Sequence, residues 1–258
     1  MQTARSALQV HKRGAAITDT VVVLGAGNPN GIGGAIAQRF GRENLHVVVS
    51  GRTQGKLDVT AQSVIDAGGS AEAIVADVTS EAALTDLFSA VQDRGESIAA
   101  VIFNAGNNAP IPFAELSAED FEGYWRVGCL GGFLAAKQAI PVLVKQGSGS
   151  FLITGASASL RGRPNFVHFA VSKSGLRSLA QALAREYGPQ GVHVAHIIID
   201  GAVNGEIVQN RFGAYLEQLG EDGSLAPSAI AETFWQIHSQ PRSAWSHEVD
   251  LRPFKESW

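Results

Sequence analysis

The sequence predicts an α/β domain: a parallel sheet with helices covering both of its faces. Short apolar, β-branched runs alternate with helix-like segments in a regular beat, the signature of βαβ units. Most of these runs are too continuously apolar for a sheet with one wet face. At 258 residues, 45% hydrophobic and 17% charged, the chain can bury a full core with neither disulfides nor a partner.

Strands are expected at 21–24, 45–50, 71–76, 99–103, 150–154, 192–199 and 248–251. Helices are expected to begin near Gly31, Thr53, Ser80, Ser117, Phe166, Asn204 and Pro227. The helix after Phe166 is the clearest, because Phe169, Lys173, Leu176, Ala180, Leu183 and Tyr187 recur at steps of four and three along one stripe, and Gly188-Pro189 then ends it. In 205–223, Val208, Phe212, Tyr215 and Leu219 could form one apolar face, of either a lid or a surface helix packed on the sheet. The aromatic tail (Trp245, Phe254, Trp258) docks on another subunit or folds back on its own core. Residues 1–18 read as a polar arm, and 19–258 as one domain with no repeat or linker.

The balance of 20 basic against 24 acidic residues, a net charge of −4, offers no broad attraction to nucleic acid or anionic lipid. Small molecules are the expected partners, with no nucleic acid and no membrane. No run approaches the roughly 18 consecutive apolar residues of a membrane span, and the amino end lacks the apolar core of a signal peptide. The single cysteine, Cys129, stands among apolar residues and reads as a buried thiol; a reducing cytoplasm is the expected location. The histidines show no metal-ligand spacing, so no metal is expected.

The first chemical signal is Gly25-Ala-Gly27-Asn-Pro-Asn30-Gly31-Ile32-Gly33, which closes the first strand and opens a helix. Glycines let the backbone turn sharply and approach a pyrophosphate, while the helix start presents unpaired N–H groups and a positive dipole end. In that setting the stretch reads as a dinucleotide-binding loop. The second strand ends in Ser50-Gly51-Arg52, without the Asp or Glu that would hold the ribose diol of NAD. Arg52 can instead face a 2′-phosphate, which favours NADP(H) and leaves NAD(H) as the alternative if Arg52 merely lies on the surface.

Asp77-Val78 follows the third strand, Asn104-Ala105-Gly106 the fourth, and Lys173 lies on the clearest helix. With the glycine loop, these residues resemble the short-chain dehydrogenase/reductase family from about Thr20 to Leu251. The resemblance implies a single-domain Rossmann fold with a doubly wound, seven-stranded parallel sheet. It also implies one nicotinamide cofactor and a homodimer or homotetramer built on the helices beginning near Ser117 and Phe166. By the same resemblance Asp77 and Val78 hold the adenine, Asn104 to Gly106 pack beside the cofactor, Lys173 binds the nicotinamide ribose, and Gly201 and Val203 lie in the loop beside the nicotinamide. Read alone, Asp77 and Asn104 are equally well strand-end turn residues.

The family's catalytic Asn, Ser, Tyr and Lys are mostly missing. The Asn position falls on Gly128, the Ser position on Ala156 or Ser157, and the Tyr position on Phe169; Lys173 is kept. One helical turn separates Phe169 from Lys173 and puts both on one face. A phenol there would exchange a proton with substrate under the influence of the ammonium, and a phenyl ring cannot. Loss of a general acid forfeits about 10² to 10⁴ in rate.

Candidate replacements are Ser157 and Ser159, at the carboxyl edge of the fifth strand, with Ser157 preferred for polarising a carbonyl or else engaged in turn bonding. Asp200 could act as an acid if desolvated, or accept turn N–H bonds. Phe169 and Ser159 are expected to line the substrate pocket. His168 is rotated off the Phe169–Lys173 face, His196 reads as a core histidine within a strand, and Tyr124 and Tyr187 as packing residues. The leading functional expectation is a divergent NADP(H)-dependent oxidoreductase acting on a carbonyl or alcohol. The alternatives are an NADP(H)-binding pseudoenzyme or redox sensor, and a reductase of an activated C=C or C=N bond.

Overall fold

The computed structural model describes residues 19–256; the expected polar arm and Trp258 lie outside them. Strands β1 (Asp19–Leu24), β2 (His46–Gly51), β3 (Ser70–Val75), β4 (Ser97–Phe103), β5 (Ser150–Thr154), β6 (His193–Ile199) and β7 (Glu248–Leu251) form one sheet. Their order is β3-β2-β1-β4-β5-β6-β7 and every neighbouring pair is parallel. The helices are α1 (Ile32–Gly41), α2 (Gln54–Asp66), α3 (Glu81–Asp93), α4 (Ala118–Trp125), α5 (Gly131–Gln146), α6 (Val167–Tyr187), α7 (Glu206–Leu219) and α8 (Pro227–His238). Each expected strand is present within two residues of its expected start and end.

Side chains alternate across a strand, and here both faces are apolar. Val22, Leu24, Val101, Phe103, Phe151 and Ile153 pack against α3, α5 and α6. Val21, Val23, Ala100, Ile102, Leu152 and Ile197 pack against α1, α2 and α8. The strand order reverses between β1 and β4, which opens a crevice at the carboxyl ends of these strands, where ligands of such sheets bind.

The helix expected from Ser117 runs in three parts: α4, one π-helical turn at Arg126–Leu130, and α5. Together they make Ala118–Gln146 long and apolar enough to cross a membrane. Its apolar residues, among them Leu134, Ala135, Ala139 and Leu143, are instead packed into the core. Cys129 is half-buried, its thiol raised by desolvation. By contrast α7 buries none of its residues and is kinked at Phe212. In the tail Trp245 folds back and stacks on His193 at 4.7 Å between ring centroids, whereas Phe254 is exposed.

Candidate active site

The loop from Gly25 to Gly33 is pinned from three sides. The N–H groups of Gly25 and Ala26 donate to Ser50 O at the end of β2 (2.8 and 3.1 Å), and Thr60 Oγ1 of α2 donates to Gly27 O at 2.8 Å. Gln38 of α1 holds Pro29 O at 3.2 Å, which shapes the unusual proline-bearing turn. Gly25 is required twice over. Its φ of +81° is left-handed, and a Cβ there would lie 2.6 Å from the backbone of Ala105. Helix α1 is then N-capped by Gly31, with no side-chain cap bond and no acid in its first turn. The opening of α3, by contrast, carries a Ser80 cap and Glu81. The leading N–H groups of α1 are thus uncommitted donors at the positive end of a helix.

A hydrogen-bonded line joins this loop to the lysine helix. Asn104 Nδ2 donates to Gly25 O (2.8 Å), Thr154 Oγ1 donates to Asn104 Oδ1 (2.9 Å), and Lys173 Nζ donates to Thr154 O (2.7 Å). Asn104 and Lys173 are therefore parts of one frame spanning β1, β4, β5 and α6. Thr154 had no sequence signal, because its contribution to Lys173 is a backbone carbonyl. Lys173 is 5% exposed, and burial lowers its ammonium from 10.5 to about 8. One ammonium proton is spent on Thr154, and Gly106 leaves the space beside Nζ open: a Cβ there would stand 3.7 Å away. Phe169 lies one turn back, its ring centroid 5.8 Å from Nζ.

Around Phe169 lie the other positions that the resemblance expects to be catalytic. Gly128 sits in the π-helical turn, and a Cβ there would collide with Ser172 Oγ, so a longer side chain needs Ser172 to move. Ser157 opens a 3-10 turn and lines a cavity of about 110 Å³ together with Asn108, Ala158, Arg161, Arg163, Phe166 and Phe169. Its hydroxyl has no hydrogen-bond partner among the described residues. His168 faces away from this cavity as expected: its ring packs on Tyr124 at 4.3 Å and Nε2 meets Ala109 O at 3.1 Å.

Two expectations are corrected by these contacts. Ser159 does not line the pocket. It is 4% exposed, and its Oγ accepts from Ala156 N (3.2 Å) and meets His196 Nε2 (3.2 Å). Asp200 is not a free acid: both of its carboxylate oxygens are reached by Arg161 Nη2 (3.2 and 3.4 Å), with Arg252 at 3.7 Å. Its carboxylate is an ion-pair acceptor that fastens the loop after β5 to the end of β6.

The Ser159 contact belongs to a row, buried at its Ser159–His196 end, that the sequence did not reveal, since its members come from separate strands and helices. Arg177 makes a two-pronged pair with Glu248 (2.6 and 2.7 Å), Glu248 meets His196 Nδ1 (3.0 Å), and His196 Nε2 meets Ser159. Desolvation holds His196 down at about 4, so at neutral pH it is uncharged. With Nδ1–H donating to Glu248, Nε2 is left to accept the Ser159 hydroxyl proton. Ser159 is too enclosed to attack a substrate; the row fixes the turn that presents Ser157.

At the far end of the crevice Arg52 is exposed, with no partner for its guanidinium among the described residues. Asp77 Oδ1 accepts from Thr79 N and Thr79 Oγ1 (2.9 and 2.8 Å), a turn like the one its local sequence allows, and Val78 is buried. Gly201 follows Asp200 with φ +139°, and Val203 bridges to Leu225. That loop returns to the glycine loop, where a Cβ on Gly205 would stand 3.1 Å from Asn30 O.

The family model for short chain dehydrogenases matches residues 19–214. The chain belongs to the short-chain dehydrogenase/reductase family. Among curated members of this family of oxidoreductases, 3beta-hydroxysteroid dehydrogenase 1 of Eggerthella lenta is 31% identical over 196 residues, 75% of this chain and 74% of that one. A short-chain dehydrogenase from Rhodopseudomonas palustris is 33% identical, with a TM-score of 0.78 over 92% of this chain and 99% of that one. A metagenomic short-chain oxidoreductase solved with NADP shares the fold at 21% identity, with a TM-score of 0.77 over 92% of this chain and 98% of that one.

Proposed function

We propose that this short-chain dehydrogenase/reductase is an NADP(H)-dependent oxidoreductase that interconverts a carbonyl and an alcohol without a phenolic proton donor. The reading rests above all on the line Gly25–Asn104–Thr154–Lys173, which ties the diphosphate-type loop to a buried ammonium. A nicotinamide dinucleotide supplies the hydride. The glycine loop and the uncapped start of α1 bind its diphosphate, and Lys173 uses its remaining donors on the ribose hydroxyls. Arg52 takes the 2′-phosphate, since no acid near the end of β2 opposes it. Asp77 and Val78 flank the adenine, Asn104 to Gly106 and the loop from Gly201 to Val203 flank the nicotinamide.

On the substrate side Ser157 orients the carbonyl, and Phe169 forms an apolar wall where relatives place a proton donor. The proton for the product oxygen comes from water, since Asp200 is committed to its arginines and Ser159 to His196. Fluorescence titration tests the cofactor assignment: NADPH should bind more tightly than NADH, and Arg52→Ala should erase the difference. Equal affinities in the native protein refute it. A second copy of the chain, packed through α5 and α6, fits the exposure of Phe133 and Val171 on those helices, and sedimentation tests that assembly.

A second reading, an NADP(H)-binding pseudoenzyme, is favoured by the bare catalytic positions Gly128 and Phe169. Tight NADPH binding with no absorbance loss across carbonyl, enone and imine substrates would establish it in place of the first. Turnover of the enones or imines alone would move the reaction to C=C or C=N reduction.

A further inference from the structure

The cavity beside Phe169 has a chemical character that carries the reading one step further. Seven residues line it; two carry guanidinium groups and none carries an acid. Arg163 is exposed, with no side-chain acceptor among the described residues. Arg161 spends one nitrogen on Asp200, while its Nε is buried with no hydrogen-bond partner. Asp200 and Asp250 contact Arg161 and Arg252 but do not line the cavity. Phe166, Phe169 and Ala158 are apolar walls, and Ser157 and Asn108 supply neutral polar groups. At the ~30 Å³ that a water takes up in the liquid, about 110 Å³ holds roughly four such groups, room for a small molecule only.

We infer that the substrate is a small oxo acid or hydroxy acid whose carboxylate is held by Arg163 and Arg161, with its carbonyl or hydroxyl carbon toward Ser157 and Phe169. This rests on the oxidoreductase reading and names its substrate class. Guanidinium pairs carboxylate in a planar, two-pronged geometry, and an unpaired guanidinium on a pocket wall leaves that geometry available. In the reducing direction a hydride from the reduced nicotinamide dinucleotide bonds to the carbonyl carbon. The C=O π pair moves to oxygen, water protonates it, and the dinucleotide is left oxidised.

The test is calorimetric, with 2-oxobutyrate and its methyl ester as matched probes. The native protein should bind the acid at least about tenfold more tightly than the ester, the worth of one charge-assisted hydrogen bond. Arg163→Gln, at an exposed position, should keep the thermal midpoint and lose most of that preference. Arg161→Gln should lose it as well; because that change also strips Asp200 of a partner, Arg163→Gln is the deciding variant. Equal or tighter binding of the ester, an acid preference that survives Arg163→Gln, or tighter binding of inorganic phosphate than of the oxo acid would each overturn the assignment. Titrations are run with and without saturating NADP⁺. Failure to bind the dinucleotide refutes the oxidoreductase reading, and failure to prefer the acid refutes only this one.

Discussion

Replacing Lys173 with methionine should make the protein more stable at neutral pH and worse at holding its cofactor. The ammonium is driven from 10.5 to about 8 by desolvation. At about 1.4 kcal/mol per unit, that corresponds to roughly 3 kcal/mol against the charged form in the folded state. The single bond from Nζ to Thr154 O returns about 1–3 kcal/mol. A methionine of similar length avoids the burial cost and forfeits the bond, so Lys173→Met should gain about 1 kcal/mol at pH 7, roughly 2–4 °C in thermal midpoint for a chain of this size. Below pH 8 folded and unfolded Lys173 are both protonated, and the full cost is present. Between pH 8 and 10.5 the unfolded state holds more protons, so the native protein gains stability as pH rises and its deficit against the variant closes. Urea unfolding of both proteins at pH 7 and 9.5 measures this, and NADPH titration measures the functional loss. A stability difference that does not change with pH, or an NADPH affinity that is unchanged, would refute the argument that a buried ammonium is kept here for the cofactor.

Other expectations follow from the same contacts. Phe169→Tyr restores a phenol one turn from Lys173 and should raise carbonyl reduction, assayed by NADPH absorbance, by about 10²; no gain would mean that Gly128 and the Ser157 turn no longer frame a usable site. Gly25→Ala forces a left-handed residue against the Ala105 backbone. It should cost about 1–3 kcal/mol in thermal or urea unfolding and abolish NADPH binding; an intact titration would dissociate the loop from the dinucleotide. His196 and His238 are held at about 4 by burial, so the stability they confer is complete above 6.5 and is lost as pH falls through 4, with a slope of up to about 1.4 kcal/mol per unit for each. His196→Gln should flatten that acid limb in unfolding curves from pH 7 to 4, and an unaltered limb would refute its neutral, buried role.

What was legible in the chain was local. The β-branched runs named the strands because a strand buried on both faces must be apolar throughout, and the four-residue step from Phe169 to Lys173 placed both on one helix face because a helix repeats at that interval. The glycine loop was legible because its conformational demands fall on consecutive residues. Ser157 was preferred over Ser159 for the catalytic hydroxyl, but Ser159 was also expected in the pocket, because its burial is decided by His196 on β6 and Glu248 on β7. Asp200 could be read as an acid or as a turn residue but not as an ion-pair partner, because Arg161 and Arg252 lie in other parts of the chain.

Pattern and composition alone therefore specified the layered α/β architecture, the glycine loop that closes β1 and the helix stripe that sets Phe169 beside Lys173, since each depends on neighbours along the chain. Folding decided which hydroxyl faces the cavity, that Lys173 is bonded to a Thr154 carbonyl, and that two guanidinium groups line the pocket. Those outcomes depend on side chains brought together by the parallel crossovers of the sheet, and their distances and solvent exposure arise only when the strands are in register.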